Sequence, residues 1–201
     1  MSDLFKEKAD GWDARPMSQI LSEGVGKALL ENVELDSDQV VMDFGAGTGL
    51  LCGYVAPKVR RVVAVDISAA MLERLAEKAE LQGKVETLCQ DILKQPVSEE
   101  FDLIVSAMAL HHVKDTESLL RAFAEHLVAG GRIVLADLDA EDGSFHPADV
   151  EGVYHHGFDR DELQAQLEAA GFRDVEYVTA LVLEKEETSY PVFLVTADKA
   201  G

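Results

Sequence analysis

Basic residues are scarce in this chain. Only 18 Lys and Arg stand against 38 Asp and Glu, a formal charge of -20. Nucleic-acid affinity rests on cations that neutralise phosphates, so DNA or RNA is not expected as a partner. The acidity can help attract a cationic ligand, and much of it serves solubility. Cysteine is rarer: Cys52 and Cys89 are the only two, far apart and outside any CxxC pattern. They read as reduced core residues of a cytoplasmic protein, and neither a disulfide framework nor a thiolate metal site is expected. No apolar run reaches the roughly 18 residues of a membrane helix, so no membrane insertion is expected. The start, Met1-Ser2-Asp3-Leu4-Phe5-Lys6-Glu7, has no basic segment followed by an apolar one, so no secretory signal is expected. Repeats, low-complexity tracts and linkers are missing too. The 201 residues therefore read as one domain, long enough for a substantial core.

What is present is an alternation of strand and helix signals. Residues 2 to 38 read as a helical leader. Gln39 to Phe44, Arg61 to Val65, Val85 to Cys89, Phe101 to Ser106 and Arg132 to Ala136 are short, largely apolar runs of the kind buried in parallel sheets. Between them, Gly49 to Ala56 is expected as a helix closed by Pro57. Ser68 is expected to cap a helix carrying Met71, Leu72, Leu75 and Ala79 on one face. A third helix from about Thr116 is expected to run to Gly130-Gly131. After an acidic cluster, Asp137, Asp139, Glu141 and Asp142, no period is clear as far as Phe158. Asp159 and Glu162 resemble a capping box, and Gly171 suits the C′ position of the helix they open. Val175 to Leu183 and Val192 to Thr196 are the last two strands. Only Glu184 to Pro191 join them, too few for a crossover helix, so they should form an antiparallel hairpin.

The sharpest motif is Asp43-Phe44-Gly45-Ala46-Gly47-Thr48-Gly49, which follows a strand and opens a helix. Glycines there let the backbone pass close beneath a ligand. A tight strand-to-helix turn alone would use the same residues. Three carboxylates add meaning. Asp66 ends the second strand, where it can accept hydrogen bonds from both hydroxyls of a ribose. Asp91 follows the third strand and could accept from an adenine amino group, with Ile67, Met71 and Ile92 as apolar walls. Asp43 stands two residues before the first glycine, where it would repel phosphate and favour an ammonium or sulfonium group.

These segments, with Val65-Asp66-Ile67-Ser68, Gln90-Asp91-Ile92, Leu110-His111-His112-Val113 and Leu127-Val128-Ala129-Gly130-Gly131-Arg132, resemble the ordered cofactor motifs of class I S-adenosylmethionine-dependent methyltransferases. The likeness covers about residues 39 to 137. It is strongest to the small-molecule branch that includes ubiquinone- and menaquinone-biosynthesis methyltransferases, although that branch often has Pro where Ala129 stands. The resemblance implies an α/β, Rossmann-like, seven-stranded and mostly parallel sheet, with helices on both faces and a C-terminal antiparallel hairpin. It implies S-adenosylmethionine as cofactor and a small-molecule methyl acceptor as partner. Gly45, Ala46 and Gly47 would line the methionine part, Asp66 the ribose, and Ile67, Met71, Asp91 and Ile92 the adenine. Backbone around Ser106 would meet the methionine amine. Trp12, in an aromatic-acidic pair with Asp13, would close over the donor, or else belong to an amphipathic helix packed on the core.

No obvious general base appears. Ser106-Ala107-Met108-Ala109 is not the Asn-Pro-Pro-Tyr pattern of many amino-group methyltransferases of DNA and protein, and Ser106 departs from the acidic ligand of magnesium-dependent catechol-type enzymes. Histidine remains: His111 and His112 after the fourth strand, and His155 and His156 in the lid-like stretch 138–158. Each is a candidate base or orienting group, or a loop residue bonded to backbone. A metal set of Asp137, Asp139, His146 and His155 matches no standard spacing, so no metal is expected. An NAD-type oxidoreductase would want Gly at position 50, where Leu stands, and a parallel sixth strand. A non-catalytic cofactor-binding protein would carry the same motifs.

Overall fold

Seven strands form one sheet in the computed structural model, which describes residues 3–147, 150–185 and 187–201. Met1, Ser2, Ala148 and Asp149 fall within the expected leader and insertion and lie outside the described residues, as does Glu186. Along the chain come α1 (Lys6–Ala9), α2 (Pro16–Asn32), β1 (Val40–Phe44), α3 (Cys52–Val55), β2 (Arg61–Asp66), α4 (Ala69–Ala76) and β3 (Val85–Cys89). There follow β4 (Phe101–Ala107), α5 (Thr116–His126), β5 (Leu127–Leu138), α6 (Arg160–Ala169), β6 (Phe172–Lys185) and β7 (Thr188–Lys199).

The strand order is β3-β2-β1-β4-β5-β7-β6. Pairs up to β4–β5 are parallel, and β7 runs antiparallel to both neighbours. The mostly parallel sheet with its terminal hairpin is therefore as the sequence suggests. Strand order reverses between β1 and β4, and open α/β sheets bind ligands at such a switch, beyond the strand carboxyl ends.

Each central strand is apolar on both sides, because each side is covered. Val41 pairs with Val62 and Leu103, and all three enter one apolar layer with Val25 and Leu29 of α2, Cys52 and Val55 of α3, and Leu72 and Leu75 of α4. The next residues in register, Met42, Val63 and Ile104, turn to the other layer. There they meet Leu119, Leu120 and Phe123 of α5 and Leu163 and Leu167 of α6. Alternation of strand side chains thus divides one buried run between two cores.

Several boundaries differ from expectation. The helix after the glycine loop is only Cys52–Val55, followed by a 3-10 turn at Ala56–Lys58, because Gly47 and Gly49 hold positive φ of 54° and 80° and keep the loop out of the helix. α4 ends at Ala76, so Ala79 belongs to a separate 3-10 turn. α5 stops at His126. Leu127 already pairs with Phe101, which carries β5 back across Gly130-Gly131 and puts a register shift opposite them. Hairpin pairing also lengthens the last two strands at both ends. The leader is two helices, with Gly11 at φ 75° between them. Cys52 is buried, but Cys89 is exposed, because β3 is an outer strand with little covering it. Ser68 and Asp159 do cap α4 and α6, accepting from Met71 N and from Asp161 N and Glu162 N.

Phe123 is fully buried and meets Phe44 edge-on at 5.1 Å, tying α5 to β1. Replacing it with Ala should cost about 3–5 kcal/mol. Denaturant unfolding should show a lower midpoint at nearly unchanged slope, and a loss below about 1 kcal/mol would mean that this layer does not anchor α5.

Candidate active site

The glycine loop turns sharply after β1 because the carbonyl of Val65, one strand over, accepts from both Gly45 N (2.8 Å) and Ala46 N (3.2 Å). Gly45 has φ 67°, and a Cβ there would stand 2.3 Å from the Ala109 Cβ. The turn after β4 therefore lies directly against the loop, and a larger residue at 45 would push the two apart.

Asp66, at the end of β2, braces the same loop. One oxygen accepts from Gly47 N and the other from Ser68 N, both at 2.8 Å. Each carboxylate oxygen has two acceptor sites, so each can take a further donor. Burial raises the Asp66 pKa, and the two backbone hydrogen bonds oppose that rise. Ser106, at the end of β4, is buried and donates to the Phe44 carbonyl at 2.9 Å. It locks β4 to β1 at the switch and leaves backbone, not its hydroxyl, to face a ligand. Asp91 accepts from Leu93 N and pairs with Lys94. Ile92 and Met71 are buried within the fold, whereas Ile67 is 63% exposed beside Asp66. Of the three expected apolar walls, Ile67 alone offers a large free surface.

Asp43 is 1% exposed, and among the described residues its carboxylate has one side-chain partner, the Cys52 thiol at 3.0 Å. Burial lifts its pKa from the usual 3.8 to about 7; the thiol hydrogen bond works against this and the nearby Asp66 adds to it. The same burial, with Asp43 beside it, raises the Cys52 thiol.

The leader crosses this edge. Asp13 accepts from Thr48 Oγ1 of the glycine loop at 2.5 Å and pairs with Lys78 at 2.6 Å. Asp3 accepts from Ser68 Oγ at 2.9 Å. Trp12 is half-buried, with Phe5 edge-on at 6.3 Å and the Arg15 guanidinium over its ring at 4.7 Å. Phe5 in turn stands edge-on to His112 at 5.3 Å. The segment after β5 reaches the same place, since Tyr154 N donates to the His111 carbonyl and Gly152 lies against Leu4.

The four candidate histidines separate by environment. His111 is 2% exposed, and its Nδ1 lies 2.7 Å from Asp137 Oδ1. His112 Nδ1 lies 2.7 Å from the Gly152 carbonyl, and His155 Nε2 lies 2.9 Å from the Val113 carbonyl. His156 is exposed, 3.6 Å from Glu141. Burial, with His111 next in effect, pushes the pKa of both His112 and His146 down to about 4. The four residues weighed as a metal set are not brought together. Asp139 is held by Arg160 at 2.7 and 2.8 Å, Asp137 by His111, and His155 by backbone. Among the described residues no group of three potential ligands could hold a metal ion. Sequence reasoning missed the pairing of Asp137 with His111, and the roles of Asp3 and Asp13. The signal for the first was a carboxylate ending an otherwise apolar strand.

A methyltransferase-domain family matches residues 15–177. An uncharacterized methyltransferase of Schizosaccharomyces pombe is 32% identical over 137 residues, 60% of this chain and 48% of that protein. Phosphoethanolamine N-methyltransferase 1 of Arabidopsis thaliana is 31% identical over 155 residues, 74% of this chain and 32% of that protein. The chain thus spans about half the yeast relative and a third of the plant one. A Haloferax volcanii methyltransferase, solved in complex with the Trm112 methyltransferase activator, superimposes over all of both chains with a TM-score of 0.82 at 16% identity, a likeness of fold. The chain belongs to the methyltransferase-domain family and has the class I, S-adenosylmethionine-dependent fold. Antiparallel β7 and Leu50 both count against the NAD-type alternative. No helix among the described residues is long and apolar enough to cross a membrane.

The glycine cradle and the free acceptor sites of Asp66 fit this donor. A cation at the loop favours the ionised form of Asp43. Donor binding should therefore release a proton, and affinity should rise between about pH 6 and 8. Calorimetry in buffers of different ionisation enthalpy measures the release, and proton uptake would contradict it. The sign for stability is the reverse. The folded state keeps a proton that the unfolded state loses above pH 3.8, so Asp43 costs stability increasingly from there to about pH 7. Asp43→Asn should lessen that decline while weakening donor affinity.

Proposed function

We propose that this chain transfers the methyl group of S-adenosylmethionine to a small-molecule acceptor, not to nucleic acid. When bound, the donor supplies a methyl carbon already activated by a sulfonium centre. The protein's part is to bind, orient and exclude water. Residues 1–201 act as one methyltransferase domain, with 1–38 as leader or lid and 138–158 as a lid-like insertion. The observation that carries the reading is Asp66, held by two backbone N–H groups beside a glycine loop and free to accept from two ribose hydroxyls.

Gly45, Ala46 and Gly47 let the methionine part lie against backbone. Asp43 supplies negative charge beneath it. Ile67, Met71, Asp91 and Ile92 bound the adenine end, with Ile67 offering the free apolar face. Backbone at Ser106 meets the methionine amine. Trp12 and its neighbours close over the methyl. A charge of -20 disfavours polyanions. The plant relative is named for the nitrogen of phosphoethanolamine, which supports a small polar acceptor here.

S-Adenosylhomocysteine should raise the melting temperature and NAD should not, since only a ligand of the folded state stabilises it. Stabilisation by NAD alone would reverse the reading. Asp66→Ala should lower donor affinity at least about tenfold by losing two charge-assisted hydrogen bonds. Unchanged affinity by calorimetry would mean that the ribose is held elsewhere. Labelled S-adenosylmethionine, incubated with the protein and a metabolite extract, should yield a labelled small molecule, and label found only in RNA or protein would sink the small-molecule acceptor.

A further inference from the structure

We propose, on the reading above, that His111 is the general base of the reaction and Asp137 its positioning residue, so that the acceptor is an amine, hydroxyl or thiol with a proton to lose. Asp137 is 0% exposed at the end of β5. Its Oδ1 meets His111 Nδ1 at 2.7 Å and accepts from Leu138 N at 2.8 Å, while its Oδ2 accepts from His111 N at 3.2 Å. A carboxylate only accepts, so the imidazole proton sits on Nδ1 and the lone pair on Nε2. Among the described residues Nε2 has no hydrogen-bond partner, and it is not one of the sealed, unpartnered atoms.

His146 Nε2 is such an atom, and its ring centroid lies 5.1 Å from that of His111. Two unpartnered imidazole nitrogens in one corner leave it short of hydrogen-bond donors, which a polar acceptor would supply. The place is right for methyl transfer, since Ala109, two residues before His111, lies against Gly45. The groups facing the cluster are Asp137 from β5, His112 from the same turn, His146 and Glu141 from the segment after β5, and Lys185 from β6. Burial keeps His112 and His146 neutral at pH 7, and His112 Nδ1 is engaged by Gly152. Of the three, His111 is the one whose ring nitrogen is hydrogen-bonded to a carboxylate. In the step, the acceptor's lone pair forms the bond to the methyl carbon, and the carbon–sulfur pair stays on sulfur. The acceptor's proton passes to His111 Nε2, giving an imidazolium beside Asp137.

The test needs no known acceptor. Protein labelled with 15N at histidine is titrated by long-range proton–nitrogen NMR with S-adenosylhomocysteine, then with S-adenosylmethionine. Neutral His111 should be protonated at Nδ1 and bare at Nε2. Its Nε2 resonance should differ between the two complexes, because the sulfonium charge acts on a bare lone pair close to it. His126, which ends α5 and bonds Ala122 and Val97 instead, should not move. An Nε2–H tautomer, or an Nε2 resonance identical in both complexes, overturns the assignment. If neither ligand binds by calorimetry, the methyltransferase reading itself fails and the assignment with it. Asp137→Asn keeps size and shape, so S-adenosylhomocysteine affinity should hold within about threefold. The rate constant for the product found in the extract screen should fall at least about tenfold, with its pH profile displaced and KM little changed. An unaltered rate and profile would leave Asp137 a structural residue only.

Discussion

Three carboxylates, two buried and one partly buried, at the carboxyl ends of parallel strands set the constraint that the rest of this structure obeys. Asp66 ends β2, and Asp43 and Asp137 each lie one residue from the end of β1 and β5. A buried carboxylate is costly unless hydrogen-bonded. Asp66 is met by two backbone N–H groups, and Asp137 by two more and an imidazole. Supplying those donors dictates the local chain. Gly47 adopts positive φ as its N–H reaches Asp66, and the turn after β4 folds back so that His111 reaches β5. Asp43 receives only a thiol, and its raised pKa records the difference. A weakly satisfied buried acid beneath the glycine loop is strain that a cationic ligand there would relieve.

The covering segments are attached differently from the core. The sheet and its helices, α2 of the leader included, are joined through two apolar layers, but the stretch before α2 is tied down by Asp3 to Ser68 and by Asp13 to Thr48 and Lys78. Partly exposed polar contacts of this kind are individually weak. They can part without opening either apolar layer, so the stretch before α2 can move independently of the fold beneath it.

Legibility in the sequence followed the strength of the local rule. Apolar runs marked the central parallel strands, because a strand buried on both faces has no other composition, whereas β3, Val85-Glu86-Thr87-Leu88-Cys89, is an outer strand with exposed residues. The short link between Leu183 and Val192 implied the hairpin through chain length alone. Helix ends were misread where a distant partner decided them. Leu127 leaves α5 to pair with Phe101, and no residue near 127 announces this. Asp43 and Asp66 were legible because a motif placed them at strand ends. Asp137 stood in the open as an acid after an apolar run, but its partner is 26 residues away in sequence, in a turn without a helical or strand period. Pairing across two loops is tertiary information. The misplacement of Cys89 has a similar cause, since which strand lies at the edge is a property of sheet order.

That same sheet order explains how one edge can serve charge changes of opposite sign. On the proposed function, methyl transfer would turn a sulfonium cation into a neutral thioether while the acceptor gives up a proton, so positive charge would leave the glycine loop and reappear nearby. Asp43 would serve the first location and Asp137 the second, on strands separated only by β4. Attraction between opposite charges is strongest where water is excluded, and both carboxylates are almost wholly buried. A fixed carboxylate at the place where positive charge develops lowers the cost of the step, because it needs no reorganisation as the charge arrives.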